Sequence, residues 1–313
     1  MNHNDDAPGA ATPQAPNTPS SPPAPTGSAA ATPHWRGLLA LMRPRQWVKN
    51  AFVLAPLLFT GQFTDARSVL SVLLATVLFC LASSATYTVN DWLDVERDRQ
   101  HPTKRLKRPM AAGTVTPRMA AALLAALYGV LLAGAFIQPG VAAAIGVYLV
   151  LNLAYSFALK KQPVLDIFII AAGFVLRMIA GALALSVPVS AWMFVTTLCL
   201  ALYLAAVKRR QELLRSGSEA REVLRSYTLP LLDRYAEMAS TGALVFYSLF
   251  VMDAHEELIV TIPLVLFGLF RYWWMVEQGR GESPTDALLG DWQLMVTVLL
   301  WVLLCAWRLA AAA

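Results

Sequence analysis

The chain has 313 residues, 57% of them hydrophobic and 14% charged, with a mean hydropathy of +0.52 and a formal net charge of +5. Ordinary soluble domains carry roughly 45–50% apolar and about 25% charged residues, so this composition argues against a water-soluble globule and for one polytopic bundle. Cys80, Cys199 and Cys305 all lie in apolar stretches without ligand-like spacing, which argues against a disulfide framework or a thiolate metal site. The excess of positive charge is not read as nucleic-acid binding, because its distribution decides its meaning.

Residues 1–35 hold eight of the 19 prolines, with Asp5 and Asp6 as the only charges, and read as a disordered tail ahead of a membrane domain over 36–313. The tail lacks the basic start and apolar run of a secretory signal. Apolar segments then recur at about 47–63, 68–89, 118–137, 141–159, 164–185, 191–207, 236–252, 258–276 and 292–311. The expected fold is therefore all-α, a membrane bundle of about nine transmembrane helices. Gln138-Pro139-Gly140 breaks an otherwise uncharged stretch and predicts a tight turn between two spans.

Seven basic residues lie between the second and third spans, Arg97, Arg99, Lys104, Arg105, Lys107, Arg108 and Arg118. Seven more lie between the sixth and seventh, Lys208, Arg209, Arg210, Arg215, Arg221, Arg225 and Arg234. Alternate loops hold almost none. The excess of cations on cytoplasmic loops places the tail and both basic loops inside the cell and the C-terminus outside, in a multi-pass protein of the plasma (inner) membrane.

Asn90-Asp91-Trp92-Leu93-Asp94-Val95-Glu96-Arg97-Asp98-Arg99 closes the second span. A helix continuing through it sets Asp91, Asp94 and Asp98 at i, i+3 and i+7, with Asn90 one turn above Asp94, so four oxygen-bearing side chains share a face. Stacked carboxylates repel, and this hard ligand set suits a magnesium ion (Mg2+) shared with substrate phosphates. A solvated loop whose acids pair with Arg97, Arg99 and Lys104 is the plainer alternative. Downstream, His101-Pro102-Thr103-Lys104-Arg105-Leu106-Lys107-Arg108-Pro109 forms a natural phosphate clamp through Lys104 and Arg108, although basic loops also mark topology. His101 is read as structural.

Arg43-Pro44-Arg45-Gln46-Trp47-Val48-Lys49-Asn50 enters the first span, where a charge such as Lys49 should face a polar interior. Lys49 is a substrate-contact candidate with Asn50 beside it; Arg43 and Arg45 are weaker ones, and Trp47 reads as an interfacial anchor. Tyr155-Ser156-Phe157-Ala158-Leu159-Lys160 precedes Asp166 and Arg177, which lie 11 residues apart on nearly one helix face without touching. Arg177 needs an anionic partner, either a structural ion pair or a ligand. Lys208-Arg209-Arg210-Gln211-Glu212 ends the sixth span, as a phosphate site or simply as a positive stop. No nucleophile elbow, Walker loop, dinucleotide fingerprint or zinc spacing is present.

Asn90-Asp91-x-x-Asp94-x-x-x-Asp98 at the end of the second span resembles the first aspartate-rich motif of the UbiA superfamily of membrane transferases. With Arg43 to Asn50, His101-Pro102-x-Lys104 and Arg108-Pro109 added, the string is similar to the decaprenyl-phosphate phosphoribosyltransferase branch. That resemblance implies a UbiA-like bundle and pentosyl transfer from phosphoribosyl pyrophosphate to a polyprenyl phosphate, feeding cell-envelope polysaccharide precursors. Prenyl-transferring members carry a second acidic motif near the sixth span, where this chain has Lys208 to Glu212, and that departure favours the phosphoribosyl branch.

Under this reading magnesium on Asn90, Asp91, Asp94 and Asp98 binds the diphosphate, and Lys49, Lys104 and Arg108 neutralise it as it leaves. Lys160, Lys208 and Arg209 hold the acceptor or the 5-phosphate, with Tyr155, Asn50, Arg43 and Arg177 lining the site. The bilayer, the donor and the lipid acceptor are the expected partners, nucleic acid is not, and self-association stays open. A prenyltransferase joining a polyprenyl diphosphate to an aromatic or other acceptor is one alternative; a non-enzymatic transporter or lipid-binding protein is another.

Overall fold

A computed structural model of the chain describes residues 34–100, 102, 104–217, 221–279 and 284–312. The tail through residue 33 and His101 lie outside the described residues. Every regular element among those residues is helical.

The first span departs from an ordinary α-helix. α1 (His34–Met42) ends at Arg43, whose left-handed backbone (φ 53°, ψ 61°) starts a 3-10 helix over Pro44–Leu54 that runs into α2 (Ala55–Phe59). At rises of about 2.0 and 1.5 Å per residue these segments cover about 30 Å, the thickness of a bilayer's hydrocarbon core. A 3-10 helix eclipses positions i and i+3. Trp47, Asn50, Val53 and Pro56 therefore form one straight inward line between two long helices; Asn50, Val53 and Pro56 are buried, and the Trp47 indole donates to Ser84 Oγ at 3.0 Å. Trp47 is thus an internal packing residue, not the interfacial anchor expected.

Eight further segments are long and apolar enough to cross a membrane. They are α3 (Ala66–Leu93), α6 (Pro117–Ile137), α7 (Pro139–Phe157), α8 (Leu165–Leu185), α9 (Ala191–Ser216), α10 (Leu229–Ala254), a 3-10 turn Glu256–Thr261 continuing as α11 (Ile262–Glu277), and α13 (Trp292–Ala312). Short helices α4 (Val95–Gln100), α5 (Lys104–Lys107) and α12 (Pro284–Gly290) lie between them. The expected turn at 138–140 tightens to Gln138 alone, whose amide donates to Ser71.

Side-chain oxygens of Asp65, Thr116, Ser190 and Thr228 accept the third N–H of α3, α6, α9 and α10, satisfying donors that a helix start leaves unpaired. Val53, Val72, Phe79, Ile145, Tyr148 and Ala180 fill the core between the first span, α3, α7 and α8. Tyr203, Ala236, Tyr272, Met275 and Leu294 fill a second core among α9, α10, α11 and α13. Large apolar side chains such as Leu132, Phe136, Val150 and Phe270 point outward, as lipid contact requires.

Gly181 sets the distance between α8 and the first span. A Cβ there would stand 2.0 Å from the Val53 carbonyl oxygen, a backbone atom that cannot swing away. Gly181→Ala should destabilise the protein by about 3 kcal/mol, read as a lowered melting temperature in detergent, because overpacking forces the helices apart. An unchanged melting temperature would refute the close approach.

Candidate active site

Both basic loops, the acid-rich turn and the start of the first span meet at one end of the bundle. α3 stops at Leu93, and Asp94 (φ −96°, ψ 3°) joins it to α4. The helical bonds run on through the joint, from Asp94 N to the Asn90 carbonyl at 3.0 Å and from Asp98 N to the Asp94 carbonyl at 2.8 Å. The shared face expected for the acids is therefore largely kept, but their environments differ. Asp91 and Asp98 are buried, each 4% exposed, whereas Asp94 is half-buried and paired with Arg97 at 2.8 Å.

Asp91 is the centre of the group. Its Oδ1 accepts from Arg43 and from Arg108 Nη1 (3.0 Å), and Arg108 Nε lies 4.0 Å from Asp98 Oδ2, so one guanidinium links both buried acids. Arg43 is also stacked over the Tyr87 ring, 4.8 Å to its centroid. Asp91 Oδ2 is buried and has no hydrogen-bond partner among the described residues. Asn90 Oδ1 accepts from Ser156 Oγ at 2.7 Å, tying α3 to α7.

Among the described residues no three His, Cys, Asp or Glu side chains converge as a metal cage. Magnesium does not require one, since it keeps several waters and takes one or two carboxylates plus phosphate oxygens. The orphaned Asp91 Oδ2 beside buried Asp98 fits that demand. An unpaired buried carboxylate oxygen is otherwise costly.

The cations divide into two kinds. Lys49 and Lys208, both half-buried, make no hydrogen bond or ion pair among the described residues, and each lies in the repulsive field of Arg43. Lys160, on the loop after α7, is likewise half-buried and unpaired. Arg209 differs completely from its neighbour. It is fully buried, and donates to Asp166 Oδ2 at 2.5 Å, Glu212 Oε2 at 2.6 Å and the Tyr155 hydroxyl at 2.6 Å. Asp166 also accepts from the Tyr227 hydroxyl at 2.6 Å. Burial and the Asp166 hydrogen bond push the Tyr227 phenol well above its usual pKa, so it remains a donor. Arg210 is similarly held by Asp233 (2.5 Å) and Glu277 (2.6 Å).

These contacts correct three expectations. Arg209 is engaged by the protein and not held free for a phosphate, because each of its three guanidinium nitrogens donates to a protein oxygen, Tyr155 being one of the partners. Among the described residues Arg177 has no ionic partner, and it is buried: it donates to Asn50 Oδ1 (2.7 Å), the Gly173 carbonyl (2.6 Å), Ser83 and Tyr148 (3.2 Å each), and lies over the rings of Phe79, Tyr148 and Phe174. Asn50, fully buried, is engaged by Arg177, Ser83 and Cys80 and is closed to substrate. Lys104 opens α5, and its side chain lies outside the described part of the structure.

Two residues around the acid group are not among the sequence candidates. Tyr87, whose ring lies under Arg43, sits one helical turn before Asp91, a spacing that carries a signal. Ser156 follows Tyr155 but offers no cue to Asn90, because that pairing spans 66 residues.

The model of the UbiA prenyltransferase family matches residues 51–295. The chain is 38% identical over 282 residues to the decaprenyl-phosphate phosphoribosyltransferase of Corynebacterium glutamicum, covering 85% of this chain and 84% of that protein. It is 39% identical over 279 residues to the enzyme of the same name from Mycobacterium tuberculosis, covering 85% of this chain and 92% of that one. In three dimensions it is similar to a UbiA homolog from Archaeoglobus fulgidus solved bound to GPP and Mg2+, with a TM-score of 0.67, 18% identity, and coverage of 88% of this chain and 99% of that chain.

Proposed function

The chain belongs to the UbiA prenyltransferase family, and from that premise we propose that it transfers a 5-phosphoribosyl group from phosphoribosyl pyrophosphate to a polyprenyl phosphate, releasing diphosphate. The observation that carries this reading is the contrast between the two helix ends lining the site. The end of α3 offers buried Asp91 and Asp98, whereas the end of α9 offers Lys208, with Glu212 already held by Arg209. One acidic group opposite free ammonium groups suits substrates that bring phosphates beyond the departing diphosphate. Both the donor's 5-phosphate and the acceptor's phosphate are such groups.

Asp91 and Asp98, with Asp94 and Asn90 at the rim, would hold the magnesium. That ion, when bound, supplies charge neutralisation for the diphosphate. Arg43 and Arg108 orient Asp91, and Lys49, with Lys104 and Arg108, neutralises the leaving diphosphate. Lys208 and Lys160 hold the second phosphate. As the C1–O bond to diphosphate breaks, positive charge develops at the anomeric carbon, and the acceptor phosphate oxygen attacks from the opposite face with inversion. That oxygen is already anionic at neutral pH, so no protein nucleophile or base is required, and positioning and electrostatics supply the acceleration. The isoprenoid enters laterally between spans. The cation-rich loops support a cytoplasmic position for this end of the bundle in a plasma-membrane protein, and the product would serve cell-envelope polysaccharide synthesis.

Purified protein in detergent, given labelled phosphoribosyl pyrophosphate and decaprenyl phosphate, should form a phosphoribosylated lipid that mass spectrometry identifies, and should lose the activity when magnesium is chelated. Absence of that lipid, with prenyl transfer from a polyprenyl diphosphate instead, would replace this reading by the prenyltransferase one.

A further inference from the structure

The loop between α7 and α8 ends in a turn that its residues do not favour. Leu165 N–H donates to the Pro163 carbonyl at 2.8 Å across Val164, whose backbone has φ 68° and ψ −50°. This is a γ-turn of the rare, strained hand, and a β-branched residue is poorly suited to its positive φ. Val164 does not hold itself there by packing, because it is 42% exposed. The hold comes from outside the loop. Tyr227, buried just ahead of α10, accepts from Val164 N–H at 2.6 Å and donates to Asp166 Oδ1 at 2.6 Å, so one hydroxyl spans the turn. Strained backbone persists only where its surroundings over-determine it, and it concentrates at functional sites.

The loop that this turn closes carries Lys160. At its other end Ser156 donates to Asn90 Oδ1 at 2.7 Å, and the Tyr155 hydroxyl accepts from Arg209 at 2.6 Å. Lys160 follows Ser156 by four residues, at most about 14 Å of extended chain, and the 3-10 turn over Leu159–Lys161 shortens that reach. It therefore stands beside the acid group. Two tyrosine hydroxyls bracket the loop, and both end on one buried ion pair, Arg209 with Asp166. The pair of Lys161 with Glu222 at 2.9 Å is exposed and adds little. Pro163 and the extended Gln162 before it are stiff, so a change at Val164 passes along the chain to Lys160.

We infer that Tyr227 is a positioning residue, which through the strained turn at Val164 sets Lys160 against a substrate phosphate. The hydroxyl touches no substrate itself. The inference rests on the phosphoribosyl reading and deepens it, since there Lys160 meets the donor's 5-phosphate or the acceptor's phosphate. Without the hydroxyl Val164 relaxes to negative φ, the loop changes direction, and the ammonium leaves the phosphate with its charge unaltered.

The test is steady-state kinetics with phosphoribosyl pyrophosphate and decaprenyl phosphate varied in turn. Tyr227→Phe should raise the KM of one of them by about tenfold, the size of a lost charge-assisted contact, and leave kcat within about twofold of wild type. The substrate affected identifies the phosphate that Lys160 holds. Val164→Pro breaks the turn from its exposed side, because proline fixes φ near about −65° and offers no N–H, yet it leaves Tyr227 bonded to Asp166. It should give the same rise, also where Tyr227→Phe proves too unstable to measure. In a Lys160→Met background neither change should raise KM further, since the residue through which they act is gone. Wild-type KM values in the turn variants would overturn the inference, whether or not kcat or the melting temperature falls, because the hydroxyl would then serve only the scaffold around Asp166. An undiminished further rise in the Lys160→Met background would overturn it as well. A wild type that forms no phosphoribosylated lipid would overturn the phosphoribosyl reading and this inference with it, a result distinct from transfer with KM unmoved.

Discussion

Asp91→Asn should lower turnover by about 10³-fold or more, at any magnesium concentration, while the protein still folds. The substitution keeps the size of the side chain and removes its charge. Oδ1 currently accepts from both Arg43 and Arg108, and Oδ2 is the buried atom without a partner among the described residues. A purely structural acid would be expected to satisfy both oxygens from the protein. The two arginines have side chains about a quarter exposed, 24% and 28%, so water can solvate them once the acid is gone. The stability loss should therefore stay near 1–3 kcal/mol, below that of a fully buried pair. A second variant separates the roles. If Asp91 serves only to neutralise Arg43, then Arg43→Met combined with Asp91→Asn should restore activity; if Asp91 serves the substrate side, the double variant should stay inactive despite a recovered melting temperature. Product formation against magnesium concentration and thermal unfolding decide between them, and turnover above about a tenth of wild type in the single variant would remove Asp91 from the chemistry.

Which residues pair with which was the least legible part of the sequence, for a physical reason. The spans could be read because bilayer thickness imposes a long apolar run on each helix, and the acid cluster could be read because its members are three and four residues apart on one helix. The pairs that build the site are remote: Arg43 to Asp91 over 48 residues, Arg209 to Asp166 over 43, Arg177 to Asn50 over 127. Asp166 and Arg177 share a helix face, yet Asp166 turns to α9 and Arg177 to the first span. The 3-10 winding of the first span was equally hidden. Its polar and apolar residues suit any helix, and only packing between α3 and α8 selects the three-residue line of Trp47, Asn50, Val53 and Pro56.

Lys208 and Arg209 are adjacent in sequence and should give opposite signatures. Lys208→Met should leave the melting temperature nearly unchanged, because the half-buried ammonium it removes makes no hydrogen bond or close ion pair among the described residues, and its attraction to Glu212 is opposed by repulsion from Arg209, Arg221 and Arg43. It should also cut kcat/KM by about 100-fold, since a phosphate held by a charge-assisted bond loses its partner. Arg209→Met should instead lower stability. Asp166 and Glu212 would keep their charges, and among the described residues Asp166 would retain the Tyr227 hydroxyl and Glu212 the more distant Arg221 at 3.6 Å with the field of Lys208. Breaking a buried ion pair from one side costs about 3–5 kcal/mol, or roughly 10 °C of melting temperature for a protein of this size. Activity should fall with the folded fraction, and at a temperature where Arg209→Met is still folded its KM for the donor should lie near that of wild type. The comparison turns on this split. If Lys208→Met lowers stability as much as Arg209→Met does, the lysine is part of the scaffold and the α9 end supplies no phosphate site. If Arg209→Met raises KM without loss of stability, the guanidinium reaches substrate after all, and the network with Asp166, Glu212 and Tyr155 opens during turnover.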